Sequence, residues 1–126
     1  MATRNNEEHK IQCGIVDWYD LTIGDGLLFA IPNGGARDAR TGAMLKAEGV
    51  RKGVWDLFLA KPCLNVVPWF HGLWIEVKTP KRRTTARGGL TIEQNRFWAM
   101  VRLNGYKTEV VYTTQEGIDA IARYLK

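Results

Sequence analysis

Two neighbouring stretches, GVRKGVWDLFLA (49–60) and LWIEVKTPKRR (73–83), contain the residues that decide the predicted fold. Each reads as a short β-strand of mostly apolar residues interrupted by charge: Asp56 in the first, Glu76 and Lys78 in the second. The segment between them, KPCLNVVPWFHG (61–72), is short enough to connect two antiparallel strands. The two stretches therefore predict a hairpin that carries three charged side chains.

Strand geometry predicts that Glu76 and Lys78 lie side by side. Successive side chains alternate between the two faces of a strand, so both point away from the apolar face that contains Leu73. Hairpin pairing can bring the carboxylate of Asp56 beside that of Glu76. Adjacent carboxylates repel each other, and a divalent cation that prefers oxygen ligands, such as Mg²⁺ or Mn²⁺, relieves the repulsion. The alternative is that these charges form only the solvent-facing side of an ordinary strand.

Other segments predict helices and strands around this hairpin. Near the start of the chain, apolar residues at helical spacing predict a helix that ends near Gly24 and packs through Ile11, Ile15, Trp18 and Tyr19. LLFAI (27–31) predicts a short buried strand, and AMLKAEG (43–49) predicts a short helix. The segment between them, PNGGARDARTG (32–42), is predicted to be a loop because it is rich in glycine and charge.

Two capping signatures place the last helices. Thr91 with Gln94 three residues later predicts the start of a helix that ends near Gly105, and Thr113 with Glu116 predicts another start. The last helix is expected to pack through Ile118, Ile121 and Leu125. A strand at 106–113 separates the two helices. The predicted order is α, β, short α, β, β, α, β, α, which indicates one mixed α/β domain over residues 1–126 with a central sheet flanked by helices.

Composition narrows the possible functions. The 126 residues contain 18 Lys and Arg against 13 Asp and Glu, a net charge of +5 that suits a polyanionic partner. The first ten residues have no apolar signal region, no run is long enough to span a membrane, and Cys13 and Cys63 are two isolated thiols. We therefore expect a cytoplasmic protein with reduced cysteines.

Several kinds of site are disfavoured. The chain has no P-loop, no GxGxxG sequence and no nucleophile in a glycine-rich turn. A zinc site is conceivable from four residues, but their spacing matches no usual zinc finger: His9, Cys13, Cys63 and His71. We expect these side chains to be buried thiols and surface imidazoles instead.

A basic segment directly follows the second strand. Lys78, Lys81, Arg82, Arg83 and Arg87 occur with no acidic residue before Glu93. Such a run is often only a solvated or disordered loop. Beside two carboxylates, it also fits a track for the phosphates of a nucleic acid.

These stretches resemble the VRR-NUC (virus-type replication-repair nuclease) family of the PD-(D/E)xK restriction-endonuclease-like superfamily. The similar segments are EEHKIQ (7–12), the block from 31 to 60, GLWIEVKTPK (72–81) and GGLTIEQNRFWAMVRLNGYKTEVVYT (88–113). They cover nearly all of the chain from Glu7 onward. The resemblance implies a restriction-endonuclease-like core with a central mixed β-sheet flanked by helices.

The resemblance also implies roles for individual residues. Asp56 and Glu76 would be metal ligands together with the backbone carbonyl of Val77, and Lys78 would be the catalytic lysine. Gln94 is similar to the glutamine that the family places near the catalytic centre. Glu8 is similar to a further acidic site residue, although helical phase alone does not separate it from Glu7. The chain departs from the family at Trp55, where a proline usually precedes the aspartate, and this bears on local backbone shape.

A second block of the family bears glycines and cations and precedes the aspartate. Here Gly34 and Gly35 would let the backbone approach a nucleic-acid strand, and the cations would contact phosphates. An ordinary turn and a basic helix are the alternative. The residues of this block are Asn33, Gly34, Gly35, Arg37, Lys46, Arg51 and Lys52.

The sequence therefore predicts a standalone, phage-type DNA endonuclease that depends on Mg²⁺ or Mn²⁺. The resemblance implies selectivity for branched DNA such as four-way junctions, and a homodimer. The apolar residues Val66, Val67, Trp69 and Phe70 could form the dimer contact or fold back onto their own domain. A non-catalytic DNA-binding module of the same fold and an RNA nuclease are the alternative functions.

Overall fold

The computed structural model describes residues 6–32 and 38–126 of the chain. The order of helices and strands is the predicted one, with two 3-10 turns at Pro80–Arg82 and Ala86–Gly89 after the third strand. The elements are α1 (Asn6–Thr22), β1 (Leu28–Ala30), α2 (Ala39–Ala47), β2 (Leu57–Leu59), β3 (Leu73–Val77), α3 (Ile92–Leu103), β4 (Lys107–Val111) and α4 (Thr114–Leu125).

The four strands form one mixed sheet in the order β1-β2-β3-β4. The pairs β1–β2 and β2–β3 are antiparallel, and β3–β4 is parallel. The predicted hairpin is therefore confirmed as β2–β3, in which Leu57 pairs with Ile75 and Phe58 with Trp74. Helix α3 makes the crossover that a parallel pair requires. The second strand is shorter than predicted, because it begins one residue after Asp56.

One face of the sheet carries the main hydrophobic core. Leu57, Leu59, Leu73, Ile75 and Val77 are completely buried on this face. Helices α1 and α4 cover it with residues that include the predicted stripe of the first helix, of which Trp18 is only partly buried. In the last helix Ile121 is buried as predicted, whereas Ile118 and Leu125 are partly buried. Gly117, Ala120 and Tyr124 complete the buried face of that helix.

The first and last helices are in close contact. The Thr114 hydroxyl donates a hydrogen bond to the backbone carbonyl of Ile11 over 3.2 Å. A Cβ atom at Gly14 would lie 2.7 Å from the side chain of Thr114, and one at Gly117 would lie 2.3 Å from the side chain of Ile15. Because nothing larger than glycine fits at these two positions, the two helices approach each other more closely than helices with ordinary side chains.

The opposite face of the sheet is aromatic. The ring of Phe58 lies 5.9 Å from that of Phe29 and 4.5 Å from that of Trp74, measured between ring centroids. Helix α3 packs on this face through Phe97, whose ring centroid is 4.9 Å from that of Trp74. Side-chain alternation puts Asp56, two residues before Phe58, on the same face of the sheet as Phe58. The predicted site therefore lies on the face that α3 covers.

The insertion between β2 and β3 forms a small hairpin of its own, closed by a bridge between Cys63 and Phe70. Phe70 packs against the core. Leu64, Val67 and Trp69 are 55%, 95% and 57% exposed. The insertion thus divides its apolar residues between the domain and the solvent. In the part of the chain that the structure describes, no helix is long and apolar enough to cross a membrane.

Candidate active site

The carboxylates of Asp56 and Glu76 meet where β2 begins and β3 ends. The antiparallel register that pairs Leu57 with Ile75 places Asp56 opposite Glu76. The backbone N–H of Asp56 donates to Glu76 Oε1 over 3.2 Å, and the backbone N–H of Val77 donates to Asp56 Oδ2 over 2.9 Å. These two bonds cross between the strands and hold both carboxylates at one point. The structure thus brings together the acidic pair that the sequence predicted.

Glu76 and Lys78 are buried, so the alternative of an ordinary solvent-facing strand is wrong. Glu76 is 3% exposed and Lys78 is 7% exposed. The Lys78 Nζ atom lies 3.4 Å from Glu76 Oε2. Burial and the nearby charge of Asp56 raise the pKa of Glu76 to about 8, although the charge of Lys78 and its hydrogen bond act in the opposite direction. Burial thus makes the ionised form of Glu76 costly unless a further cation is present.

Gln94 connects the first turn of α3 to the acidic pair. Its Oε1 atom accepts a hydrogen bond from the backbone N–H of Thr91 over 2.9 Å, and its own backbone N–H donates to Thr91 Oγ1. This reciprocal capping box, predicted from the sequence, orients the side-chain amide. The Nε2 atom then donates to Glu76 Oε2 over 2.9 Å. One side chain thus starts the helix and holds a carboxylate of the site.

Trp55 is a site residue whose role the sequence interpretation missed. Its indole N–H donates to the backbone carbonyl of Gln94 over 3.0 Å, and its side chain is completely buried. Nearby, a Cβ atom at Gly53 would lie 2.6 Å from the backbone of Glu93. The loop before Asp56 is therefore pressed against the start of α3. The available signal was that a buried tryptophan needs a partner for its N–H.

The two acidic residues in the first turn of α1, Glu7 and Glu8, are less clearly part of the site than Asp56 and Glu76. Glu8 is partly buried and Glu7 is exposed, which favours Glu8 as the one that faces the protein. Within the two described ranges, no group of three or more His, Cys, Asp or Glu side chains is arranged to hold a metal ion. Glu8 therefore does not form such a group with Asp56 and Glu76. The four residues of the conceivable zinc site do not form one either. His9 instead contacts Cys13, and Cys13 is exposed where a buried thiol was expected.

The basic segment after β3 is ordered as two 3-10 turns, not as a disordered loop. Its cations differ in their contacts. The Arg83 guanidinium is hydrogen-bonded to the carboxylate of Glu116 and lies over the ring of Tyr112, 4.3 Å from the ring centroid. Among the described residues, Arg82 and Arg87 each donate a side-chain hydrogen bond to a backbone carbonyl and to no carboxylate. Lys81 is exposed. Arg83 is therefore committed to the protein, whereas the other three cations keep donors for a ligand.

The second predicted group of nucleic-acid contacts is only partly described. Lys46 lies in the last turn of α2, and Arg51 donates to its backbone carbonyl over 3.4 Å. The Lys52 Nζ atom lies 3.9 Å from a carboxylate oxygen of Glu93. Glu93 directly precedes Gln94 in the chain, and Gln94 contacts Glu76. The remaining predicted contacts lie outside the described residues: Asn33, Gly34, Gly35 and Arg37.

The sheet contains antiparallel and parallel strand pairs and has helices on both of its faces, so the chain is a mixed α/β domain. A solved structure described as a VRR_NUC domain protein resembles it with a TM-score of 0.70 and 22% sequence identity, over 97% of this chain and 90% of that chain. This chain thus has the fold of a VRR_NUC domain, as the sequence predicted. No family sequence profile and no curated protein matches it.

Proposed function

We propose that this protein is a metal-dependent endonuclease that hydrolyses phosphodiester bonds in DNA. The observation that carries the proposal is the convergence of Asp56, Glu76, Lys78 and Gln94 on one face of a VRR_NUC fold. A buried carboxyl group and a buried ammonium, with the partly buried carboxylate of Asp56 beside them, are costly to keep in a folded domain. A catalytic function explains why this cost is tolerated, because carboxyl groups with shifted pKa values are concentrated in active sites.

The donor atoms fit Mg²⁺ or Mn²⁺. Asp56 and Glu76 supply two carboxylates, and the backbone carbonyl of Val77 is the third protein oxygen of the proposed site. Mg²⁺ commonly binds through one or two carboxylates and keeps several waters, so the site does not require a third acidic side chain. The bound cation supplies Lewis-acid activation of water and neutralises negative charge on the phosphate. Its charge also favours the ionised form of Glu76.

The surrounding side chains have separate roles. The Lys78 ammonium, which has three donors and contacts Glu76 with one side, orients the attacking water and stabilises charge on the phosphoryl group. Gln94 holds Glu76 Oε2 and so fixes the carboxylate orientation. Glu8 is proposed as an outer acidic residue at this site, because it is the partly buried acid of the first turn of α1.

The nucleic-acid surface is proposed to lie on both sides of the carboxylates. Lys81, Arg82 and Arg87 follow β3, and Lys46, Arg51, Lys52 and the loop residues Asn33, Gly34, Gly35 and Arg37 precede Asp56 in the chain. The net charge of +5 supports a polyanionic substrate. We propose branched DNA, such as a four-way junction, as the favoured substrate.

A homodimer is proposed to go with this substrate. A two-fold dimer presents two sites to symmetric branched DNA and allows paired incisions, whereas one site cuts one strand at a time. The exposed side chains of Val67 and Trp69, at 95% and 57%, support a contact through the insertion between β2 and β3.

Cleavage assays on a substrate panel test the proposal. The purified protein is incubated with linear duplex, single-stranded, flapped and four-way-junction DNA and with matched RNA, with Mg²⁺, Mn²⁺ or EDTA. We expect metal-dependent cuts in DNA, fastest in the junction, and no cuts with Glu76→Ala. Binding without cleavage under every metal condition would instead favour a non-catalytic DNA-binding module. Preferential cutting of the RNA set would make the protein a ribonuclease.

A further inference from the structure

A cavity of about 380 Å³ lies between the basic segment and the first turn of α3. Arg82 and Arg87 line it from the side of the basic segment, and Thr91 and Glu93 line it from the side of α3. The cavity is open to solvent, and two arginines are among the residues that line it. Cavities of this size with convergent polar groups are the usual form of a small binding site.

Both arginines retain most of their hydrogen-bonding capacity. Arg82 donates one bond, to the carbonyl of Gly89 over 3.3 Å, and Arg87 donates one, to the carbonyl of Leu90 over 2.9 Å. A guanidinium has five N–H donors in a planar fork that matches the oxygens of a phosphate. Within the described residues, neither arginine forms a salt bridge. Each is thus oriented by one carbonyl and retains donors for an anion.

The backbone around Arg87 is held in an unusual conformation. Arg87 and Gly88 have φ angles of 55° and 62°, and the Tyr112 hydroxyl donates to the Gly88 carbonyl over 2.8 Å. A Cβ atom at Gly88 would lie 2.5 Å from that hydroxyl oxygen. Arg83 stacks on the same tyrosine and bonds to Glu116. Tyr112 and Arg83 therefore fix the turn that presents Arg87, which lowers the entropic cost of binding a ligand there.

The cavity is connected to the proposed active site through one side chain. The Thr91 backbone N–H bonds to Gln94 Oε1, and Gln94 Nε2 bonds to Glu76 Oε2. Thr91 and Gln94 are three residues apart on a helix, so the wall of the cavity is about one helical turn, ~5 Å along the axis, from the residue that touches the carboxylate. A strand with one phosphate at Asp56 and Glu76 would bring a neighbouring phosphate to this position.

We propose that this cavity binds a second backbone phosphate of the strand that is cut, through the guanidinium groups of Arg82 and Arg87. The assignment rests on the nuclease function proposed above. The Thr91 hydroxyl, which accepts from the Gln94 backbone, still has its own hydrogen to donate, whereas the Thr85 hydroxyl already donates to the Arg82 carbonyl. Arg83 is left out of this phosphate site because its guanidinium already pairs with the carboxylate of Glu116.

Glu93 opposes a phosphate in the cavity, because it places a carboxylate in the wall. Lys52, 3.9 Å away, offsets part of that charge. The opposing charge sets a limit on affinity, which suits a strand that must be released after cutting. It also provides a variant with an effect of opposite sign, since removal of the Glu93 charge should tighten binding.

The test measures DNA binding in EDTA over a range of salt concentrations, by fluorescence anisotropy with a duplex oligonucleotide. We expect Arg82→Gln and Arg87→Gln each to reduce the slope of log K against log salt by about 0.9, the value for one phosphate contact with duplex DNA. Arg87→Lys should restore most of the slope, because it keeps the charge. Glu93→Gln should increase affinity several-fold. The distant control Arg123→Gln should keep the wild-type slope, because Arg123 lies beside Glu109 and away from the cavity.

Equal slopes for Arg82→Gln, Arg87→Gln and Arg123→Gln would overturn the proposal. This includes an equal loss of slope in all three variants, because the protein would then bind DNA only through diffuse charge. Cleavage by the wild-type protein with Mg²⁺ is recorded separately. If the wild type cuts DNA but the slopes of the variants are unchanged, only the proposed phosphate binding in the cavity is refuted. If the slopes fall but the wild type cuts no DNA, only the proposed nuclease function is refuted.

Discussion

The indole N–H of Trp55 donates to the backbone carbonyl of Gln94, 39 positions later in the chain. This bond completes a closed circuit of contacts. Asp56, the next residue after Trp55, bonds through its backbone N–H to Glu76, and Glu76 accepts from the side chain of Gln94. The circuit fixes the loop before β2, the end of β3 and the start of α3 relative to one another. Trp55 is therefore a positioning residue for the acidic pair.

Replacement of Trp55 by Phe should remove the donor while keeping an aromatic ring. We expect the free energy of unfolding to fall by about 1 kcal/mol from the lost hydrogen bond, in addition to the effect of the smaller ring. We also expect kcat for DNA cleavage to fall with little change in KM, because Gln94 and Asp56 lose their mutual alignment. Thermal unfolding and steady-state kinetics measure the two effects.

The chain supplies a matched control for this change. The buried indole N–H of Trp74 has no hydrogen-bond partner among the residues that the structure describes, so Trp74→Phe makes the same change in ring size without removing a hydrogen bond. A drop in kcat as large for Trp74→Phe as for Trp55→Phe would show that ring volume matters and that the bond to Gln94 does not.

Removal of either site carboxylate should abolish cleavage and spare DNA binding. Asp56→Asn is the sharper variant, because its side-chain oxygen still accepts from the Val77 N–H while the charge is lost. Glu76→Ala tests the second carboxylate. Both should bind DNA at least as tightly as the wild type, since repulsion between carboxylate and phosphate is removed. Gel-shift and cleavage assays on the same substrate measure both properties.

A lysine variant separates chemistry from metal binding. Lys78→Gln should reduce the cleavage rate by orders of magnitude while calorimetry still detects Mn²⁺ binding, because the ammonium is not a ligand. Loss of Mn²⁺ binding in that variant would contradict the role given to Lys78. Substantial turnover by Asp56→Asn or Glu76→Ala would refute the site itself.

Stability in EDTA should depend on pH through Glu76. Its pKa is about 8 in the folded protein against 4.5 as the ordinary value, so between these pH values the folded state binds more protons than the unfolded state. The stabilising contribution is therefore complete below pH 4.5 and is lost as the pH rises towards 8. The slope is at most one proton, or about 1.4 kcal/mol per pH unit.

Denaturant titrations of the wild type and of Glu76→Gln at several pH values provide the measurement. The difference in unfolding free energy between the two proteins should shrink as the pH rises, because the amide does not titrate. Added Mg²⁺ at pH 8 should stabilise the wild type more than Glu76→Gln, since the cation favours the ionised carboxylate. Parallel pH curves for the two proteins would show that Glu76 has an ordinary pKa.

The exposed insertion predicts the oligomeric state. Val67→Asp with Trp69→Asp should convert a dimer into a folded monomer with weakened four-way-junction cleavage, because both side chains are solvent-exposed in the isolated chain. Sedimentation equilibrium and unfolding of the double variant measure this. A control at Leu21, which is 89% exposed on α1, should leave the dimer intact as Leu21→Asp. Sedimentation of the wild type as a monomer at high micromolar concentration would contradict the prediction.

Periodicity was sufficient to predict the order of elements and the hairpin pairing, because these depend on local apolar spacing and on turn residues. The spacing of Glu76 and Lys78 along a strand, and the register opposite Asp56, follow from the same geometry. The capping box of Thr91 and Gln94 was readable for a similar reason, since it needs only residues three positions apart.

The features of the site that the sequence did not predict depend on contacts between segments that are distant in the chain. Nothing local to Arg83 distinguishes it from Arg82, yet only Arg83 meets Glu116, 33 positions away. Likewise the burial of Glu76 results from its neighbours across the sheet and from α3, which strand alternation does not specify. The bond between Trp55 and Gln94 is of this kind as well. Tertiary packing decided which charged side chains are functional candidates and which hold the fold.

The packing of α1 against α4 has a consequence for how the protein is made. The bond from Thr114 to Ile11 spans 103 positions, so this contact cannot form until the ribosome has released residue 114 and the helix that follows it. Until then the part of the apolar face that α4 covers stays open, and the strands that carry the residues proposed to cut DNA lack this support. A nascent chain stopped before residue 114 would thus be a target for chaperones and proteases, and not an unregulated nuclease.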